Sequence, residues 1–385
     1  MRKLGLFIVI ALLSMTVVAQ DTAPEWQHEA LGEGIKPAID VDAEGAVHIA
    51  YIVEAEMGGL YYVSNSSGAW ETALVAEGYF YGPEDIAVSA DGIPYIAYHD
   101  HQSEQFNPGL GDEVVAWLTA EGEWELLTVA HEGHDGWDND IDVDAEGFWH
   151  TASVDPAQFQ SQDGIEYATN AYGEVIVEQI GSGPVNYEFA TSIETRVDGM
   201  VGISYFDSVN EDLIYAERSA RADGTWTLTT VDSEGDVGKY SSLAYDADGN
   251  PHITYFANGD EFAGSVRYTW RDAEGDWHFE EVDTLENVRA GRVGARKLTG
   301  LQIDSNGNIH VMYSDRLLMT YAQRDADGNW SYQQVAESET DSGNLGSLVE
   351  FVLDSNDQPH VTYFAVTNFN PFNGTIMYAT TVNDE

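Results

Sequence analysis

Along this chain, apolar and polar residues alternate in short runs that break at Asp-Gly, Glu-Gly and Asn-Gly pairs. The stretch Ser242–Phe256, SLAYDADGNPHITYF, shows the unit in its clearest form. Period-two alternation on both sides of such a pair signals a β-hairpin. The unit recurs seven times, at Pro37–Tyr51, Asp85–Tyr98, Asp140–Ser153, Ser192–Tyr205, Ser242–Tyr255, Gly300–Tyr313 and Leu348–Tyr363. Its turn position holds Gly45, Gly92, Gly147, Gly199, Gly249 and Gly307, with Asp357 in the last copy. The spacing is 47, 55, 52, 50, 58 and 50 residues. A period near 50 points to a propeller or solenoid.

A second hairpin pattern follows the first, as in Leu213–Val231, Val266–Val282 and Leu318–Val335. Four strands per repeat and seven repeats predict an all-β fold, a seven-bladed β-propeller with four-stranded blades. The seventh repeat ends after its third strand, Ile376–Thr381, whereas Glu25–Leu31 carries the fourth-strand pattern of Gly275–Val282. The N-terminal strand is therefore expected to complete the last blade and to hide both sheet edges.

Residues 1–19 read as a cleaved signal peptide. Arg2 and Lys3 precede the apolar run Leu4–Leu13, and Val17-Val18-Ala19 forms a small-residue cleavage site. The run is short for a membrane span. Residues 20–385 are expected to be a single propeller domain, secreted or periplasmic and monomeric. Such a domain escapes the usual size limit because each blade packs only on its neighbours. The absence of Cys excludes disulfides and a lipid-modified cysteine.

The chain carries 67 Asp and Glu against 15 Lys and Arg, a formal charge of −52. That sign argues against a nucleic-acid partner, because phosphate binding needs cations. It suits either a surface adapted to high salt or the binding of divalent cations. The 43% of hydrophobic residues excludes a disordered chain. The Asp-rich turns Asp40–Gly45, Asp142–Gly147 and Asp246–Asn250 lack the frame of a calcium loop and read as tight turns.

A residue found in one blade only is a better functional candidate than one that recurs. His48, His150, His252, His310 and His360 share one repeat position and read as hydrogen-bonded packing residues; His28 and His278 read as surface residues. His99, His101, His131 and His134 remain. All belong to blade two or to the connection that follows it. Clustered imidazoles and carboxylates suit a divalent metal such as Zn²⁺. They equally suit general acid–base chemistry, and such spacings also arise among ordinary loop residues. Blade connections of the longer kind are expected on one face: 99–113, 130–139, 181–189, 283–298, 336–346 and 364–375. One of them, Glu286–Lys297, gathers Arg289, Arg292, Arg296 and Lys297, and guanidinium forks bind carboxylate or sulfate. Aromatic residues in or beside these loops, among them Trp137, Tyr187 and Tyr240, offer faces for sugar stacking or pack between blades.

The repeats resemble those of bacterial secreted β-propellers of the sialidase-like, Asp-box (BNR) group. The likeness covers nearly all of residues 20–385. It rests on Asp246–Tyr255 and on the D-G-x-W turns Asp223–Trp226 and Asp327–Trp330. The resemblance implies a carbohydrate-related role, as in sialidases, lectins and polysaccharide lyases such as ulvan lyases. The first expectation is an extracellular module that binds carbohydrate on the long-loop face. The second is a uronate lyase or glycosidase in which His99, His131, His134 or a nearby Tyr moves the proton and Arg292 or a neighbour neutralises the acid group. The third is a protein-interaction scaffold.

Overall fold

The structure is a computed structural model describing residues 25–53, 58–78, 80–100, 111–130, 136–155, 164–181, 191–219, 224–259, 263–285, 298–315, 317–338, 345, 350–369 and 372–382. Its 28 strands form seven four-stranded antiparallel sheets, with no helix among the described residues. Blades one to six span residues 35–77, 80–130, 137–180, 192–232, 237–285 and 299–337. In each, four consecutive strands form a meander whose first strand lines the central channel. Blade seven comprises residues 350–382 and the strand Glu25–Glu33, which pairs with Phe372–Val382 from Glu25↔Val382 to Glu33↔Thr375. The ring closes as the alternation pattern predicts.

The hairpin turns explain the recurring Asp and Gly. The turn glycines lie at φ between 77° and 84°, a region that costs glycine no Cβ clash. Asp357 takes the same place at φ 62°, and its carboxylate accepts bonds from the Ser305 amide (2.8 Å) and hydroxyl (2.5 Å) of blade six. At the start of the turn, Asp42 Oδ1 accepts from the amides of Glu44 (3.1 Å) and Ala46 (2.7 Å). Asp144, Asp246, Asp304 and Asp354 repeat the arrangement.

The other oxygen of each aspartate faces the repeated histidine. Nε2 lies 3.2 Å away for His48, 3.4 Å for His150, 3.5 Å for His252, 3.2 Å for His310 and 3.6 Å for His360. With Nε2–H directed at the carboxylate, Nδ1 accepts from a third-strand tyrosine hydroxyl. The partners are Tyr62 (2.6 Å), Tyr167 (2.7 Å), Tyr268 (2.6 Å), Tyr321 and Tyr378 (2.6 Å). Each tyrosine then meets a tryptophan of the next blade edge-to-face: Tyr62–Trp124, Tyr167–Trp226, Tyr268–Trp330 and Tyr378–Trp70, at 5.1–6.0 Å between centroids. Tyr321 meets Trp26 at 5.6 Å. The N-terminal strand thus supplies blade seven with the tryptophan that other blades carry in their third turn. Three arginines reinforce neighbouring interfaces: Arg218 with Glu178, Arg271 with Glu217 and Arg324 with Glu280.

Blade four lacks the histidine and has Gly202. A Cβ there would lie 1.9 Å from the Tyr245 hydroxyl of blade five. That hydroxyl bonds Tyr215 at 2.8 Å, so it takes the histidine's place beside the tyrosine.

The seven first strands belong to separate sheets, and side chains join them instead. Asp85 accepts from the Ile141 amide (3.1 Å) and Asp140 from Ile193 (2.8 Å); Ser192 accepts from Leu243 (3.1 Å) and Ser242 from Leu301 (3.1 Å). Asp40 accepts from Val88 and Asp142 from Thr195, both at 2.6 Å. Burial pushes the Asp40 carboxyl up to about 7 and raises that of Asp142.

Two outcomes are expected. Gly202→Ala should lower stability by about 1–3 kcal/mol, the usual cost of overpacking, and Tyr245→Phe added to it should recover part of the loss. Equal melting temperatures for Gly202→Ala and wild type would contradict the packing described. The second concerns pH. Burial lowers the pKa of all five repeated histidines below the ordinary 6.5. Below pH about 6.5 the unfolded chain takes up protons that the folded chain refuses, so their contribution is full above that pH and lost as pH falls. Asp40 and Asp142 act oppositely, but the histidines outnumber them. In 1 M NaCl, where the Debye length is about 3 Å, Tm should fall between pH 7.5 and 5.

Candidate functional site

One end of the propeller carries the tight turns after each first strand. The other carries the second-to-third connections and the passages between blades. At this second end, blade two departs from its siblings. The residue that follows the second-strand Tyr or Ser position pairs across to the third strand. In six blades the pair is Ile52↔Leu60, Val154↔Ile165, Phe206↔Leu213, Phe256↔Val266, Ser314↔Met319 or Phe364↔Ile376. In blade two it is His99↔Glu113. His99 is 0% and Glu113 1% exposed. Two titratable groups therefore occupy a buried pair of positions that the fold elsewhere fills almost entirely with hydrocarbon.

Their surroundings are also polar. Ser153 of blade three donates its hydroxyl to Glu113 Oε2 at 3.4 Å. The Trp137 ring lies 4.8 Å from that of His99, tilted by 39°. Gly136, at φ 83°, lets the chain press against blade two, since a Cβ there would lie 2.7 Å from Glu113 Cα. Asn139 donates from Nδ2 to the Gly136 carbonyl at 3.0 Å. Asp138, buried and at φ 46°, is held through its carbonyl, which accepts from the Thr191 hydroxyl at 2.9 Å. Glu113 pairs with His99 on one side and Ala130 on the other. The connections that carry His101 and the pair His131 and His134 thus spring from strands flanking one carboxylate.

Of the residues singled out from the sequence, His99 and Trp137 come together here, and Trp137 is 6% exposed, on a strand and within the core of blades three and four rather than on an open loop. His101, His131, His134, Tyr187, Arg289, Arg292 and Arg296 lie outside the described residues. Tyr240 is 0% exposed and belongs to the core around blades five and six, 6.4 Å from Phe256. Among the described residues, no group of three or more His, Asp or Glu is arranged to hold a metal ion. Asp138 was read only as a neighbour of the His131–His134 stretch, Glu113 and Asn139 only as ends of the connections 99–113 and 130–139, and Ser153 only as the end of a repeat. Glu113 could have been found by subtracting the repeat from the third strands, where its equivalents are Leu60, Ile165, Leu213, Val266, Met319 and Ile376.

The central channel is a second polar region, a cavity of about 130 Å³ lined by Asp40, Asp85, Asp140, Asp142, Glu194 and Glu350 among others. Four of these aspartates hold amides of neighbouring blades, so the lining serves ring closure.

No protein-family model matches the chain, and no curated protein matches it. Among solved structures, an ulvan lyase, described as a new polysaccharide lyase family, aligns at TM-score 0.59 and 12% identity over 86% of this chain and 91% of that one. The same enzyme bound to a glucuronate and 3-sulfated rhamnose unit gives 0.58. An α-L-arabinofuranosidase from Fusarium graminearum, in complex with an iminosugar inhibitor, gives 0.50 at 9% identity over 90% and 92%. At such identities the likeness is one of fold. The class is defined by the architecture itself: a seven-bladed β-propeller.

His99→Phe with Glu113→Val rebuilds the blade-five pair. Removing both buried polar partners together is often neutral or stabilising, whereas removing one strands the other at a cost of about 3–5 kcal/mol. The double variant should melt at or above the wild-type temperature and Glu113→Val alone well below it. A double variant that melts well below wild type would show that the pair serves stability.

Proposed function

We propose that the chain is an exported carbohydrate-binding β-propeller whose ligand face lies at the long-loop end of blades two and three. The observation that carries this reading is the buried His99–Glu113 pair, set where the repeat otherwise places apolar residues. Six blades close without such a pair, so the repeat itself does not require one in blade two. The pair, with Trp137, Asp138 and Asn139 around it, lies on strands that precede residues 101–110 and 131–135 in the chain, which carry His101, His131 and His134. Such groups suit sugar hydroxyls, which both donate and accept hydrogen bonds. The fold's likeness to enzymes named for polysaccharide and arabinofuranoside chemistry makes carbohydrate the ligand class to test first.

A second reading rests on the same pair. A titratable pair held in a dry setting is how proteins tune proton transfer. In a uronate lyase, a base removes the proton α to the carboxylate, the glycosidic C–O bond at the β carbon breaks, and an unsaturated uronate forms. His99, His131 or His134 would move the proton. Arg289, Arg292 or Arg296 would neutralise the acid group. The candidate metal role of His99, His101, His131 and His134, and a protein-interaction role for this face, remain proposals from the sequence alone.

The test is a panel of acidic and neutral polysaccharides, read by calorimetric binding and by the ultraviolet absorbance of new unsaturated uronates. Saturable binding without absorbance gain is expected for a binding module; a rise in absorbance would assign a lyase. His99→Phe with Glu113→Val should weaken binding at least about tenfold, or 1.4 kcal/mol, with the fold intact. Equal affinity in the double variant would remove this site from the reading.

A further inference from the structure

A cavity of about 270 Å³ lies between blades five and six on the loop face. Asp283, Leu285, Tyr313, Asp315, Leu318 and Thr320 are among its walls. The repeat supplies its own comparison one interface earlier. Tyr255 pairs across its sheet with Arg267, just as Tyr313 pairs with Thr320. The preceding blade contributes Asp232, opposite Leu213, in the first case and Asp283, opposite Val266, in the second. Both tyrosine hydroxyls donate to the aspartate at 2.6 Å.

The two interfaces differ in the fourth member. Asp232 Oδ2 accepts a further bond from Arg267 Nη1 at 3.0 Å. At the later interface Thr320 replaces the arginine, and among the described residues its short side chain leaves the cavity. Its walls match the group that fills the earlier interface. Asp283 stands where Asp232 holds the guanidinium. Asp315 adds a second carboxylate and caps the amides of Leu317 (2.9 Å) and Leu318 (2.7 Å) with Oδ1. Leu285 and Leu318 offer apolar surface of the kind that covers an arginine stem.

We propose that this cavity binds a small guanidinium cation supplied by a ligand, with Asp283 in the part that Asp232 plays for Arg267. The guanidinium fork matches a carboxylate better than an ammonium does, because its N–H donors are planar and fixed. The strongly acidic chain raises the local concentration of cations around the site. This inference does not depend on the carbohydrate reading, and neither falls with the other.

The experiment titrates the full chain with ethylguanidinium chloride by calorimetry, with ethylammonium chloride and sodium chloride at matched ionic strength as comparison arms. One saturable site with a Kd of about 1 mM is expected for ethylguanidinium, a value suited to so small a ligand. Ethylammonium should bind at least about fivefold more weakly, lacking the fork, and sodium should show no saturable heat. Thr320→Arg should fill the cavity and abolish binding with Tm unchanged or raised. Arg267→Thr should open the equivalent space and change the stoichiometry from one to two. Absence of saturable binding in the wild type, wild-type binding in Thr320→Arg, or a folded Arg267→Thr that keeps one site would each overturn the proposal.

Discussion

The structure depends on how each blade is tied to the next. A propeller blade is a twisted four-stranded sheet that cannot bury both faces alone, and here the link is a repeated side-chain chain. It starts at a turn aspartate, passes through a buried histidine to a tyrosine, and ends against a tryptophan of the following blade. One residue, the aspartate, both caps its own turn and orients the histidine, so local turn formation and inter-blade packing are coupled. The same link explains ring closure: Trp26 on the N-terminal strand reaches Tyr321 as Trp70 reaches Tyr378. Where the histidine is absent, Tyr245 supplies the hydroxyl and Gly202 the room.

Near-symmetry makes departures informative. A position repeated seven times has its structural requirement measured by its siblings. By that standard His99 and Glu113 stand apart, since apolar residues hold every equivalent position except that of Ser314. The cavity beside Tyr313 is read the same way, because Arg267 shows what an equivalent interface can hold. The repeat therefore acts as an internal control for both sites.

Charge is distributed with the same economy. The chain has few cations, and three of the described arginines clasp glutamates of the preceding blade. The channel aspartates, though numerous, hold amides of the next blade, and Asp40 keeps its proton toward neutrality because its burial disfavours charge. Ten aspartates are thus engaged in turns and ring closure, a small part of the 67 acidic residues.

Alternation, the Asp-Gly turns and their period were enough to read seven blades, four strands each and closure by the N-terminal strand. These are local signals, because strand periodicity and turn chemistry are set by neighbours in the chain. The repeated histidines were also legible as packing residues, since recurrence itself marks an architectural role. Glu113 stood out only by comparison of the third strands, and the register alone places it opposite His99 and beside Ser153. Trp137 and Tyr240 looked alike in sequence, and both are buried, but Trp137 packs on His99 at the edge of the core of blades three and four whereas Tyr240 lies in the core of blades five and six. Nor could the sequence show that Thr320 and Arg267 occupy the same place beside an aspartate from another blade. Those distinctions depend on contacts between residues some 30 to 40 positions apart, which exist only once the blades are packed, so tertiary structure alone decided them.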